Sequence, residues 1–129
     1  MAQLNGSEIL AKALKREGVD ELFFLMGGPM LAAEAASIDE GIRCIDVRHE
    51  QAAAMMAQAY SRLQQRPGIC MAASGPATIN LSTGLANALI DCCPVVALGG
   101  AGPVSGYGRQ VFQEIDQMDI MSGCVKYAA

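Results

Sequence analysis

At 129 residues the chain has the length of one domain, large enough for a substantial core and too short for a separate second one. Its hydrophobic share of 52% and charged share of 17% exclude a disordered segment. Nine basic against thirteen acidic residues, a formal charge of −4 without any basic run, leave nothing to recruit nucleic acid or an anionic membrane surface. A phosphate bound here needs backbone N–H groups or another chain.

In chain order, Asn5 with Glu8 has capping-box spacing, and Ile9, Leu10, Ala13 and Leu14 give the first helix an apolar stripe that ends at Gly18. Glu21 to Met26 contains the continuous apolar run Leu22 to Leu25, which suits a strand covered on both faces, and a tight turn follows at Gly27-Gly28-Pro29. Met30 to Ser37 predicts a short helix, Gly41 breaks it, and Arg43 to Val47 predicts the second strand. From Glu50 to Gln65 an alanine-rich pattern predicts a helix with Ala52, Met56, Ala59 and Leu63 as its packing stripe and Gln51, Gln58, Ser61, Arg62 and Gln65 facing elsewhere. Its small residues allow close approach to a neighbour.

Pro67-Gly68 ends that helix, and Ile69 to Ala73 reads as a third, buried strand bounded by Ser74-Gly75-Pro76, with Pro76 suited to a first helical position. Leu81, Leu85, Ala88 and Leu89 stripe the next helix, which stops before the strand Val95 to Leu98. Gly99 to Gly108 is a glycine-rich loop, Phe112 to Met121 predicts a short helix, and Cys124 to Tyr127 reads as the start of another strand. Strands separated by helices imply an α/β fold, a three-layer sandwich with a mostly parallel sheet and helices on both faces, because parallel neighbours need right-handed crossovers. Ligands of such sheets sit beyond the carboxyl ends of the strands. Gly27 to Pro29, Glu50, Gly75-Pro76 with Asn80, and Gly99 to Gln113 all fall there.

Several chemistries are excluded or disfavoured. Gly100, Gly102 and Gly106 follow a strand, but Pro103 and Gly108 interrupt the helix that a dinucleotide fingerprint must open, and no Walker loop occurs. A nucleophile at Ser74 or at a cysteine lacks a second histidine. His49 adjoins Glu50, yet successive helical residues do not face each other, so it reads as a structural residue closing the helix start. The five cysteines, without C-x-x-C spacing, read as reduced, buried small residues of a cytoplasmic protein, and one histidine with no clustered ligands leaves no metal site. Met55 and Met56 read as core or interface filling, and Asn87 as a solvated or capping amide. No apolar run reaches the roughly 18 residues of a membrane span, and the N-terminus has no signal-peptide pattern. Glu50 itself lies in a first helical turn, where unpaired N–H groups stabilise an anion by roughly 0.3–1 kcal/mol.

Arg48-His49-Glu50-Gln51-Ala52-Ala53, Ser74-Gly75-Pro76 to Asn80, and Phe112-Gln113-Glu114, in this order, resemble the N-terminal pyrimidine-binding domain of thiamine-diphosphate enzymes, the acetolactate-synthase-like group most closely. The resemblance runs from the first helix to Lys126 and implies the thiamine-diphosphate-binding fold. By it, Glu50 hydrogen-bonds a ring nitrogen of the aminopyrimidine, favouring the imino form that removes the C2 proton of the thiazolium. Gly27, Gly28, Pro29 and Met30 line the thiazolium side, with Met30 and Phe112 toward substrate. Gly75, Pro76 and Asn80 lie by the pyrimidine, and Gln113 reaches toward the reacting carbon. The family commonly has G-P-G-A-T-N where this chain has Gly75-Pro76-Ala77-Thr78-Ile79-Asn80, and P-G-G or similar where it has Gly27-Gly28-Pro29. No paired histidine stands near Phe112, which argues against the pyruvate-decarboxylase-like branch.

The resemblance further implies a lyase or transferase that makes or breaks a carbon–carbon bond of a 2-oxo acid or a 2-hydroxyacyl-coenzyme A. Magnesium and the diphosphate are then held by a separate domain, through a G-D-G motif that this chain lacks, from a neighbouring subunit of a homodimer or homotetramer. On this reading residues 1–129 are a pyrimidine-binding domain truncated before its last elements and inactive alone. The alternative is a non-catalytic interaction domain of the same fold.

Overall fold

The computed structural model describes residues 3–129. Among the described residues six α-helices and four strands follow one another: α1 Gly6–Arg16, β1 Glu21–Phe24, α2 Leu31–Asp39, β2 Arg43–Asp46, α3 Glu50–Gln64, β3 Gly68–Ala72, α4 Pro76–Asn80, α5 Ser82–Ile90, β4 Val95–Gly99 and α6 Gln117–Ser122, with short 3-10 turns at Gly28–Met30 and Val104–Gly106. The strands form one all-parallel sheet in the order β2-β1-β3-β4. Phe23 sits beside both Ile45 and Cys70, so β1 and β3 are central and β2 and β4 are edges. This is the expected three-layer arrangement.

Side chains alternate across the pleat and make two cores. Leu22, Phe24, Ile69 and Met71 point to the face covered by α1 and α2, where Ala33 and Ile42 complete the cluster. Phe23, Cys70 and Ala72 point to the other, where Ala53, Ala54 and Ala57 of α3 and Leu85 of α5 meet them. Because β3 is covered on both sides, all five of its residues are buried. The Asn5 capping box forms in both directions, Asn5 Oδ1 accepting from the Glu8 N–H at 3.0 Å and Glu8 Oε2 from the Asn5 N–H at 2.7 Å.

Several expectations are corrected. The face that α3 buries is Ala53, Ala54, Ala57, Gln58 and Ser61, whereas Leu63 is 79% exposed and Met56 is also exposed. The reason is the close approach of α5: a methyl at Gly84 would lie 2.5 Å from the Ala54 Cβ and 3.0 Å from the Met55 backbone nitrogen, so only the smallest side chains fit between the two helices. Gln58 does not face solvent; it accepts from Asn87 Nδ2 at 2.9 Å and donates to Asp91 at 2.8 Å, tying α3 to α5, and Asn87 is thereby an interhelical amide. Ile9 and Leu89 leave their predicted stripes for solvent.

The last helix starts at Gln117 rather than Phe112, capped by Asp116, whose carboxylate accepts from the Asp119 N–H at 3.1 Å. Cys124 to Tyr127 pairs with no strand among the described residues, and Tyr127 is exposed. Of the five free cysteines only Cys70 is buried, and burial pushes its thiol up to about 12; Cys92 is exposed and the others are half-buried. No helix among the described residues is long and apolar enough to cross a membrane.

Candidate functional site

β2 delivers the chain to the carboxyl edge of the sheet, where the Val47 N–H still bonds the Phe24 carbonyl at 2.9 Å. Two residues on, His49 turns extended, with φ −157° and ψ 138°, and its Nδ1 accepts from the Gln51 N–H at 3.2 Å. The histidine is the helix cap, as its position predicts. With the cap supplied by its neighbour, Glu50 is free to turn inward, and it is buried with 8% exposure. The neighbouring Arg48 is spent on an ion pair with Asp46.

The partner of Glu50 comes from the next crossover. Gly75 has φ +58° and ψ −115°, a conformation that suits glycine, and Pro76 follows at the first position of α4. The Thr78 hydroxyl donates to the Ala73 carbonyl at 2.6 Å, pinning this short helix to the end of β3. Four residues of α4 then carry the chain to Asn80, whose Nδ2 donates to Glu50 Oε2 at 2.9 Å. Oε1 meets no hydrogen-bond donor among the described residues and is not sealed from solvent.

Gly27 to Met30 lies alongside. A methyl at Gly27 would lie 2.2 Å from the Ala73 Cβ, while one at Gly28 would meet nothing within 4 Å. Pro29 and Met30 back onto Gly100, which continues from β4 and donates to the Ala72 carbonyl at 2.9 Å. Gly27 to Met30, Glu50, Gly75 to Asn80 and Gly100 therefore all stand at the carboxyl edge.

The third motif divides. Gln113, at φ +60°, lies so close to Gly75 that a methyl there would be 2.0 Å from the Gln113 carbonyl oxygen, and its Oε1 accepts from the buried Ser74 hydroxyl at 3.3 Å. Phe112, read as substrate-side, is 86% exposed. Glu114 turns back into the loop, accepting from the Gly108 N–H and from the Val111 N–H at 3.0 Å, and these backbone donors, Gly108 first, hold its carboxyl below the usual glutamate range. Gln117 has no counterpart in the sequence reading: its Oε1 accepts from the Gly75 N–H at 2.8 Å and its Nε2 donates to the Gly100 carbonyl at 2.9 Å. The only sequence signal near it is the Asp116 cap.

A family model described as "Thiamine pyrophosphate enzyme, N-terminal TPP binding domain" matches residues 4–120. The chain belongs to this family. Acetolactate synthase isozyme 2 large subunit of Escherichia coli is 39% identical over 125 residues, 97% of this chain and 23% of that protein. A probable acetolactate synthase large subunit of Methanocaldococcus jannaschii is 40% identical over 124 residues, 96% of this chain and 21% of that one. Mouse 2-hydroxyacyl-CoA lyase 1 is 35% identical over 127 residues, 98% of this chain and 22% of the lyase. The chain thus spans about a fifth to a quarter of the length of these relatives.

The residues present fit half of the cofactor that names this family. An aminopyrimidine is a flat ring with nitrogens that accept or donate, and Glu50 offers one carboxylate oxygen fixed by Asn80 and one unengaged. Gly28 leaves open space beside the site rather than a side chain. The guanidinium nearest in sequence to Glu50, that of Arg48, is paired with Asp46, and no group of three or more metal-binding side chains occurs among the described residues.

Proposed function

We propose that this chain forms the pyrimidine-facing half of the cofactor site of a thiamine-diphosphate enzyme that makes or breaks a carbon–carbon bond of a 2-oxo acid or a 2-hydroxyacyl-coenzyme A. The observation that carries this reading is the Glu50 carboxylate, buried at a helix start, with Oε2 held by Asn80 at 2.9 Å and Oε1 unengaged. When bound, thiamine diphosphate supplies a nucleophilic carbon that can take up and release the electron pair of a bond adjacent to a carbonyl. The work of this chain is to set the protonation of the ring opposite Glu50. A carboxylate with one oxygen immobilised can exchange a proton with a ring nitrogen only along the direction of the other oxygen, which fixes the tautomer.

Gly27, Gly28 and Pro29 leave room for the thiazolium side, and Gly75, Pro76 and Asn80 border the pyrimidine. Met30 and Gln113 face the substrate side, with Gln113 held by Ser74; Phe112 joins them only by closing against a second domain. The diphosphate and Mg2+ belong to another domain of the same enzyme, contributed by a neighbouring subunit of a homodimer or homotetramer. The substrate class rests on relatives named acetolactate synthase and 2-hydroxyacyl-CoA lyase. Five thiols without a disulfide suit a reducing compartment, and we assign the enzyme to the cytoplasm.

The test is the exchange of the cofactor C2 proton with solvent deuterium in the full-length enzyme carrying Glu50→Gln. Loss of a general acid–base group of this kind costs about 10²–10⁴-fold. A rate equal to wild type would remove Glu50 from the chemistry and leave the non-catalytic interaction domain as the better reading.

A further inference from the structure

One side chain outside the three family motifs joins the segments that frame the cofactor site. Gln117 uses both ends of its amide, Oε1 on the Gly75 N–H at 2.8 Å and Nε2 on the Gly100 carbonyl at 2.9 Å. The two backbone partners fix which way the amide points, since only the NH2 end can donate to a carbonyl. Both glycines are buried, and the Gly75 N–H precedes α4, so no helical carbonyl is available to it. Without Gln117 this donor and the Gly100 acceptor each lose a partner where water has little access.

The connections lead to Glu50. α6, which Gln117 begins, packs against α4. Gly75 sets the start of α4, and α4 ends at Asn80, the residue that holds Glu50 Oε2. On the other side a methyl at Gly100 would lie 3.0 Å from the Pro29 Cβ and 3.2 Å from both the Met30 Cγ and the Ser74 backbone nitrogen, so Gly100 stands close against the turn after β1. A single amide therefore links the turn after β3 with the turn after β4, and through Gly100 with the turn after β1.

We propose that Gln117 is a positioning residue for the cofactor site: by clasping Gly75 to Gly100 it fixes the start of α4 so that Asn80 meets Glu50. The proposal rests on the cofactor-site reading above, and its test separates the two. Gln117→Met in the full-length enzyme keeps the length of the side chain and removes both hydrogen bonds. In the enzyme free of cofactor, amide hydrogen exchange in peptides covering 74–81 and 99–102 becomes about tenfold faster, the scale of one or two lost hydrogen bonds to buried groups, with peptides of α1 and β1 unchanged. At saturating thiamine diphosphate and Mg2+, where a mere loss of affinity or stability is compensated by mass action, exchange of the cofactor C2 proton remains about tenfold slower. Adding Gln117→Met to Asn80→Ala slows that exchange no further, because both act through the same contact.

Gln117→Glu is the conservative second variant: it keeps the acceptor for Gly75 and loses the donor to Gly100. Peptide 99–102 loosens, peptide 74–81 stays protected, and cofactor proton exchange stays within about threefold of wild type. Unchanged protection of 74–81 in Gln117→Met, multiplicative slowing in the double variant, or slow proton exchange in a Gln117→Glu enzyme whose 74–81 peptide is protected would each overturn the proposal. The amide-exchange readout needs no cofactor, so it stands even where Glu50→Gln leaves proton exchange unchanged and the cofactor-site reading fails.

Discussion

Glu50 and Gln113 stand at the same edge of the sheet and are held there by different means. Glu50 starts a fifteen-residue helix whose alanines press on β3 and α5, and its partner Asn80 ends a helix pinned to β3. Gln113 lies in a segment between β4 and α6 with only a 3-10 turn of its own, kept in place by side chains bonded to backbone: Gln117 to Gly75 and Gly100, Glu114 to Gly108 and Val111. A group fixed by packed secondary structure moves only with its element, whereas one fixed by a few side-chain bonds is released when those bonds break. Under the proposed function the first region carries the unvarying task on a cofactor ring. Under the same proposal the second carries an adjustable one next to a substrate.

The sharpest way to break the comparison is at the junction of the two regions. Gly75→Ala puts a methyl 2.0 Å from the Gln113 carbonyl oxygen and an L side chain at φ +58°, so both regions must yield. Strain of this kind costs about 1–3 kcal/mol, and faster amide exchange in 74–81 and 111–117 together is the expected result. Loosening confined to one of the two would show that they are mechanically separate.

Acid separates them more gently. Backbone donors led by Gly108 hold the Glu114 carboxyl low, so its stabilisation of the loop is complete above the ordinary glutamate range and is lost as pH falls through its lowered folded-state value. Protection of the Gly108 and Val111 amides should fall on that acid limb while α3 stays protected, and Glu114→Gln should weaken the same amides at neutral pH. Loop protection unaltered in Glu114→Gln would remove the carboxylate as the anchor. The smallest effect belongs to Phe112→Ala. With 86% of the residue already exposed, its loss should leave thermal stability of the separated chain within about 0.5 kcal/mol of wild type.

The same contrast explains what was legible in the sequence. Strands are short, largely apolar runs bounded by turn residues, so β1 to β4 and the parallel sheet follow from Leu22 to Leu25, Arg43 to Val47, Ile69 to Ala73 and Val95 to Leu98. Glu50 at a strand end, capped by His49, was readable too. The buried face of α3 was not, because a stripe made of alanine carries little hydrophobic contrast, and the choice of Ala53, Ala54 and Ala57 was made by the nearness of α5 at Gly84. Phe112 looked like the start of a helix; Asp116, four residues later, was the true cap. Gln117 was invisible because a bridge between two turns depends on tertiary placement and leaves no local period.

The central claim is that the helix-start region, and not the loop, meets the cofactor. Calorimetric titration of thiamine diphosphate with Mg2+ into the full-length enzyme, with Glu50→Gln and Phe112→Ala side by side, tests it most directly. The account predicts that Glu50→Gln weakens binding by about tenfold, the loss of one charge-assisted hydrogen bond, while Phe112→Ala leaves the affinity unchanged. Wild-type affinity in Glu50→Gln together with weakened binding in Phe112→Ala would contradict it.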